Sequence, residues 1–105
     1  MIIIKNINHA EPYKRFQEYY NNALNKNQAN IEAIAISSYN SDEGLVDSRF
    51  VNLKYLINDE WVFFTNYNSP KAKQFYSNPQ ISALFFWSST NIQIRIRGNI
   101  KKTSS

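Results

Sequence analysis

Apolar residues fall into two rhythms along this chain. Near the N-terminus, Phe16, Tyr19, Tyr20, Ala23 and Leu24 recur at helical spacing and make one apolar stripe. Glu11-Pro12 opens that helix, and the polar run Asn25-Lys26-Asn27-Gln28 closes it. Beyond it the rhythm shortens to that of strands. Ile31 to Ser37 reads as a strand, and Asn40-Ser41-Asp42-Glu43-Gly44 reads as a hairpin turn. Leu45 to Leu56 returns as a long strand, and Asn58-Asp59 turns the chain into a buried run from Trp61 to Thr65.

Ser69-Pro70 then signals a short second helix, from Pro70 to about Tyr76. Serine can cap its first turn, and proline fits the first helical position. Asn78-Pro79 stops it. Ile81 to Trp87 is a further buried strand, and Ser88 to Asn91 a turn. From Ile92 to Ile100, isoleucines alternate with Gln93, Arg95 and Arg97, giving a half-buried strand with a basic outer row. Gly98 suggests a bulge or a close approach. The fold class that follows is mainly β with peripheral helices. Five strands on short turns form an antiparallel sheet curling into a small barrel. Such a sheet has open edges, which a sixth strand or a partner chain would have to cover.

Composition supports a single domain over residues 1–105. At 43% hydrophobic and 15% aromatic, the chain can build a core. The absence of cysteine excludes disulfides, thiolate metal sites and cysteine catalysis. His9 is the only histidine and lies in a polar stretch, so it reads as a solvated residue, and neither a histidine-based metal site nor a Ser-His triad is expected. Met1-Ile2-Ile3-Ile4 is too short for a signal-peptide core, and no apolar run is long enough to span a bilayer. A soluble, cytoplasmic protein with no membrane partner is the expectation.

Charge is unevenly spread. All eight carboxylates lie at or before Glu60, whereas six basic residues and no acid follow Trp61. A one-sided half suits an anionic partner or, equally, a solvated basic face. Four groups that favour phosphate gather in residues 48–74: Arg49, Lys54, Thr65 and Lys71. Ser69 adds a helix start whose free amides attract anions. Arg49 and Lys54 have opposite parity on one strand, so a regular strand would face them to opposite sides. They serve one site only through a bulge, at a strand end or between two subunits. The Gln93 amide can read the edge of a heterocycle. No pair of acids suggests acid–base work, so a bound cofactor would have to carry any reaction.

These residues resemble the pyridoxamine 5'-phosphate oxidases of the FMN-binding split-barrel group, from about Glu11 to Ser104. Glu11-Pro12 with Phe16 and Ala23 resembles the family's D-P-x-x-x-F helix and its later Ala. Arg49-Phe50-Val51-Asn52-Leu53-Lys54 resembles R-x-V-L-L-K. Phe63-Phe64-Thr65-Asn66 with Ser69-Pro70-Lys71 resembles F-Y-T-N-x-x-S-R-K. Asn78-Pro79 with Leu84, Phe86 and Trp87 resembles N-P followed by L-x-F-x-W. Gln93 to Gly98 resembles Q-V-R-I-x-G, and Lys102 and Ser104 fit the K/R-x-S that follows. Each motif is weak alone; their order and spacing make them specific.

The resemblance implies a six-stranded split barrel that forms a homodimer with FMN at the subunit interface. It implies that Arg49 and Lys54 approach the cofactor and that Phe50, Val51, Asn52 and Leu53 line it, partly through backbone. Phe64, Thr65 and Ser69 would hold it, Lys71 would bind its phosphate, and Gln93 would meet the flavin side. Lys54 also matches a lysine that reaches the phosphate of the substrate, pyridoxamine or pyridoxine 5'-phosphate, which the family oxidises to pyridoxal 5'-phosphate with oxygen as acceptor. A split-barrel flavoprotein without this activity is the alternative. A barrel that binds single-stranded nucleic acid through its basic, aromatic face is a third reading; the ordered motifs argue against it, so no nucleic-acid partner is expected. Three departures matter: Pro70 replaces an Arg, Phe64 a Tyr, and Ile92 the Arg before the Gln. The chain is about half the family's usual length and lacks its C-terminal R-x-H-D-R-type motif. The 105 residues alone are therefore expected to turn over pyridoxamine phosphate weakly or not at all.

Overall fold

A computed structural model describes residues 1–64 and 79–101. The expected helix over Pro70 to Tyr76, and Thr65, Ser69, Lys71, Lys102 and Ser104, lie outside the described residues. In chain order the elements are β1 (Ile3–Lys5), α1 (Glu11–Asn25), β2 (Ala33–Asn40), β3 (Leu45–Ile57), β4 (Glu60–Phe63), β5 (Gln80–Trp87) and β6 (Ile92–Asn99). The strands run in the order β1-β3-β2-β5-β6, with β4 also paired to β3. Every pairing is antiparallel except β1 with β3. Among the described residues β6 pairs with β5 alone, and the sheet does not close.

Turn chemistry sets the connections. Gly44 adopts φ 67°, and its amide bonds the Asn40 carbonyl at 2.8 Å to close the β2–β3 hairpin. Asn58 and Asn91 take left-handed φ values of 56° and 55° in the next two β turns, a region asparagine tolerates. Helix α1 ends where its polar run predicts. Asn27 is left-handed at φ 57°, and the Gln28 amide reaches back to the Ala23 carbonyl at 3.0 Å.

The core lies between α1 and the inner face of the sheet. Phe16 is its centre, with ring centroids 4.8 Å from Trp61, 5.7 Å from Trp87 and 5.8 Å from Phe85. Ile34, Ile36, Leu53, Leu56 and Ala83 are buried around it. The Trp87 indole N–H donates to the Ile31 carbonyl at 2.9 Å. That bond engages Ile31 outside the ladder, and β2 begins two residues later than its apolar run suggests.

The expected sixth strand proves to be β1, built from the N-terminal apolar residues. Three residues are too few for a periodic signal. It is recognisable only from its partners: Ile3 to Lys5 pair with Tyr55 to Ile57, and the Ile2 amide donates to the Tyr20 hydroxyl at 2.8 Å. Gly98 differs from expectation. It pairs in register with Ile81, and a side chain there would meet nothing within 4 Å, so it makes neither a bulge in that ladder nor a close approach.

Tyr20 yields a pH prediction. Burial raises its pKa, so the folded state favours the neutral phenol. The resulting stabilisation is fully present below about pH 10 and is lost as pH rises through the folded-state value. Tyr20→Phe should cost about 0.5–1.5 kcal/mol near neutrality through the lost hydrogen bond, and it should flatten the alkaline decline. Urea melts at several alkaline pH values check this. An unchanged alkaline slope in the variant would assign the decline to another group.

Candidate functional site

Strand β3 carries six of the candidate residues, and its alternation sorts them. Arg49, Val51 and Leu53 turn towards the inner face, whereas Phe50 and Asn52 are exposed on the outer face. Leu53 is 1% exposed, and its amide donates to the Glu32 carbonyl at 2.8 Å. Its side chain therefore belongs to the core and its N–H is already engaged, leaving nothing of either for a ligand.

Between Leu53 and Tyr55 the regular pairing breaks. Leu53 pairs with Phe63, but Tyr55 pairs with Val62, so Lys54 is the extra residue of a bulge. The inner-face parity shifts across it: Leu53 before the bulge and Leu56 after it are both buried. This is the condition under which the opposite parity of Arg49 and Lys54 ceases to be an obstacle, since a bulge re-aims the side chains around it.

The environments of the two cations differ. Arg49 is half-buried beside Asp47, with its Nη2 atom enclosed. Burial lowers its pKa, and the Asp47 charge opposes that shift. Asp47 is a neighbour that sequence reasoning did not single out, although its position two residues before Arg49 puts both on one face. Lys54 is exposed. Its charge, together with the Met1 amine, helps hold the Glu32 carboxyl below its usual range, after the larger effect of a backbone hydrogen bond.

Gln93 lies on the outer face of β6, directly across from Phe86 of β5. The adjoining cross-strand row reads Phe50, Ala35, Leu84, Arg95, and the next reads Ser48, Ser37, Ser82, Arg97. Phe50, at 77% exposed, Leu84 and Phe86 leave this face apolar in its middle, and β6 edges it with guanidinium groups. Phe64 is also exposed, with its ring edge-on to Tyr55 at 6.3 Å. The structure thus gathers Phe50, Asn52 and Gln93 on one sheet face and sets Arg49 on the other. Lys54 lies at the bulge, and Thr65, Ser69 and Lys71 fall outside the described residues.

The donor set suits a flat, phosphorylated ligand such as FMN. It offers two cations for phosphate, a side-chain amide for a heterocycle edge, and exposed aromatic surface for a ring. No group of three or more His, Cys, Asp or Glu among the described residues is placed to hold a metal, and no described helix is long and apolar enough to cross a membrane.

This architecture is that of the FMN-binding split-barrel proteins, left open at the β6 edge. PhzG from Burkholderia lata 383, solved with tetrahydrophenazine-1-carboxylic acid, superposes with TM-score 0.76 at 27% identity, covering 85% of this chain and 44% of that one. A pyridoxamine 5'-phosphate oxidase-related, FMN binding protein from Nostoc punctiforme superposes with TM-score 0.69 at 18% identity, covering 80% and 45%. No family model matches the chain. Sequence similarity nevertheless points one way. A pyridoxine/pyridoxamine 5'-phosphate oxidase from Rippkaea orientalis is 38% identical over 96 residues, 91% of this chain and 45% of the relative. One from Legionella pneumophila is 37% identical over 95 residues, 90% and 44%. The chain is thus homologous to the pyridoxamine 5'-phosphate oxidase family, and it spans a little under half the length of the curated relatives it matches.

Proposed function

We propose that this chain is the FMN-holding part of a flavoprotein oxidase acting on pyridoxamine or pyridoxine 5'-phosphate to give pyridoxal 5'-phosphate. The observation that carries the reading is the β3 bulge at Lys54, within a segment matching the family's cofactor strand. It permits Arg49 and Lys54 to serve one ligand, and homology to the oxidases supplies the identity of that ligand.

In this reading Arg49, Lys54 and Lys71 hold phosphate groups, Lys54 that of the substrate as well, and Thr65 and Ser69 add hydroxyl and amide donors. Gln93 meets the heterocycle edge. Phe50 and Phe64 supply apolar surface, and Val51, Asn52 and Leu53 shape the strand beneath it. When bound, the flavin accepts a hydride from the substrate's exocyclic carbon and passes the two electrons to dioxygen, giving hydrogen peroxide, while the alcohol, or the amine after hydration and loss of ammonia, becomes the aldehyde. The protein's own contribution is to bind, orient and shield. The apolar outer face, edged by Arg95 and Arg97, suits a second copy of the chain, so we also propose a cytoplasmic homodimer with the cofactor between subunits.

A second reading keeps the flavin and drops this substrate. It is favoured by the PhzG neighbour, whose structure holds tetrahydrophenazine-1-carboxylic acid, and by the partial coverage of the oxidases. Anaerobic addition of pyridoxamine 5'-phosphate to the FMN-loaded protein separates the two. Bleaching of the flavin absorbance is expected for the oxidase. Retained colour with FMN still bound would favour the second reading.

A further inference from the structure

Glu32 stands beside the Lys54 bulge at the start of β2. Its carbonyl accepts the Leu53 amide at 2.8 Å, which carries the Ala33–Asn52 pairing one residue further. Its carboxylate is partly exposed and lies 3.5 Å from the Met1 amino nitrogen. Lys54, the next residue after Leu53, adds a favourable charge to the same carboxylate. No spacing motif in the sequence marks Glu32; only the register brings it to the bulge.

We propose that Glu32 is a positioning residue for Lys54, its carboxylate serving as the resting counter-ion of the Lys54 ammonium until an anionic phosphate ligand takes its place. The proposal deepens the functional reading above and rests on its assignment of Lys54 to a phosphate-bearing ligand. The physical argument starts from the bulge. An extra residue in a strand has no cross-strand partner, so few neighbours fix where its side chain points. Lysine adds a flexible four-carbon stem that ends in a compact charge. A single carboxylate anchored by its own backbone to the preceding residue restricts that stem to one side of the strand. A phosphate offers more acceptor oxygens and more charge than a carboxylate, and it can draw the ammonium away. Glu32 therefore keeps Lys54 near the site and gives way when the ligand arrives.

The test follows lysine chemistry in the whole chain. An ammonium paired with a carboxylate must leave that pair before it reacts as a free amine. Reductive methylation of each lysine, quantified by mass spectrometry, should run about two- to fivefold faster at Lys54 in Glu32→Gln, the range for an exposed ion pair. The remaining lysines should keep their rates, and Glu32→Asp should restore much of the slower rate at Lys54. An unchanged Lys54 rate in Glu32→Gln would overturn the proposal, as would equal acceleration of all lysines. A second variant avoids dependence on how Glu32→Gln folds. Lys54→Met should move the titration of the Glu32 carboxyl upward, read by carbon NMR, and an unmoved midpoint would also overturn the pairing. Protection of Lys54 by added FMN tests the underlying assignment separately. Acceleration in Glu32→Gln without FMN protection would uphold the pair and contradict the placement of Lys54 at the cofactor.

Discussion

Phe16→Ala should destabilise the protein by about 3–5 kcal/mol, the range for removing a buried phenylalanine. Phe16 is 3% exposed and lies within ring contact of Trp61, Phe85, Trp87 and Tyr20. Those partners come from β4, β5 and α1, so one side chain ties the helix to two strands that are distant in sequence. The rings around it are large and fixed by their own contacts, and the Trp87 indole is bonded to Ile31. They cannot readily close over the space, so the cavity cost adds to the lost transfer energy. A small domain is stable by only about 5–15 kcal/mol, so the variant forfeits a large share. Urea melts of both proteins measure the difference. A loss below about 1 kcal/mol would show that α1 does not dock through Phe16.

Arg49→Ala should weaken FMN by about 1.5–3 kcal/mol, the range for a hydrogen bond to a charged group. Its guanidinium is half-buried, and burial lowers its pKa, so holding the charge there carries a desolvation cost. Asp47 offsets part of that cost, and a bound phosphate would offset more. Arg49→Lys should recover only part of the affinity, because an ammonium lacks the forked geometry of guanidinium. Titration by flavin fluorescence, scaled to the folded fraction, gives the number. Equal affinity in wild type and Arg49→Ala would make Arg49 a core residue that merely carries a charge.

Much of this architecture is legible in the residues. The helix, its Asn-rich end and the five later strands follow from periodicity and turn chemistry, because each pattern is long enough to repeat. Strand β1 is not legible, since three residues cannot display a period and its pairing with β3 is set by contacts more than 50 positions away. The site is legible to a lesser degree. The ordered motifs mark Arg49, Lys54 and Gln93, but which face each occupies depends on the bulge at Lys54. A bulge leaves no distinctive spacing when the residue inserted is an ordinary lysine. Asp47 and Glu32 escape for a related reason: each matters through a neighbour across or along the sheet, and only the register supplies that neighbour.

The central claim is that this chain holds FMN. Purified protein titrated with FMN, followed by quenching of flavin fluorescence and by colour retained through gel filtration, tests it most directly. The account predicts a yellow protein with saturable, stoichiometric quenching. A folded protein that stays colourless and leaves flavin fluorescence unchanged would contradict it.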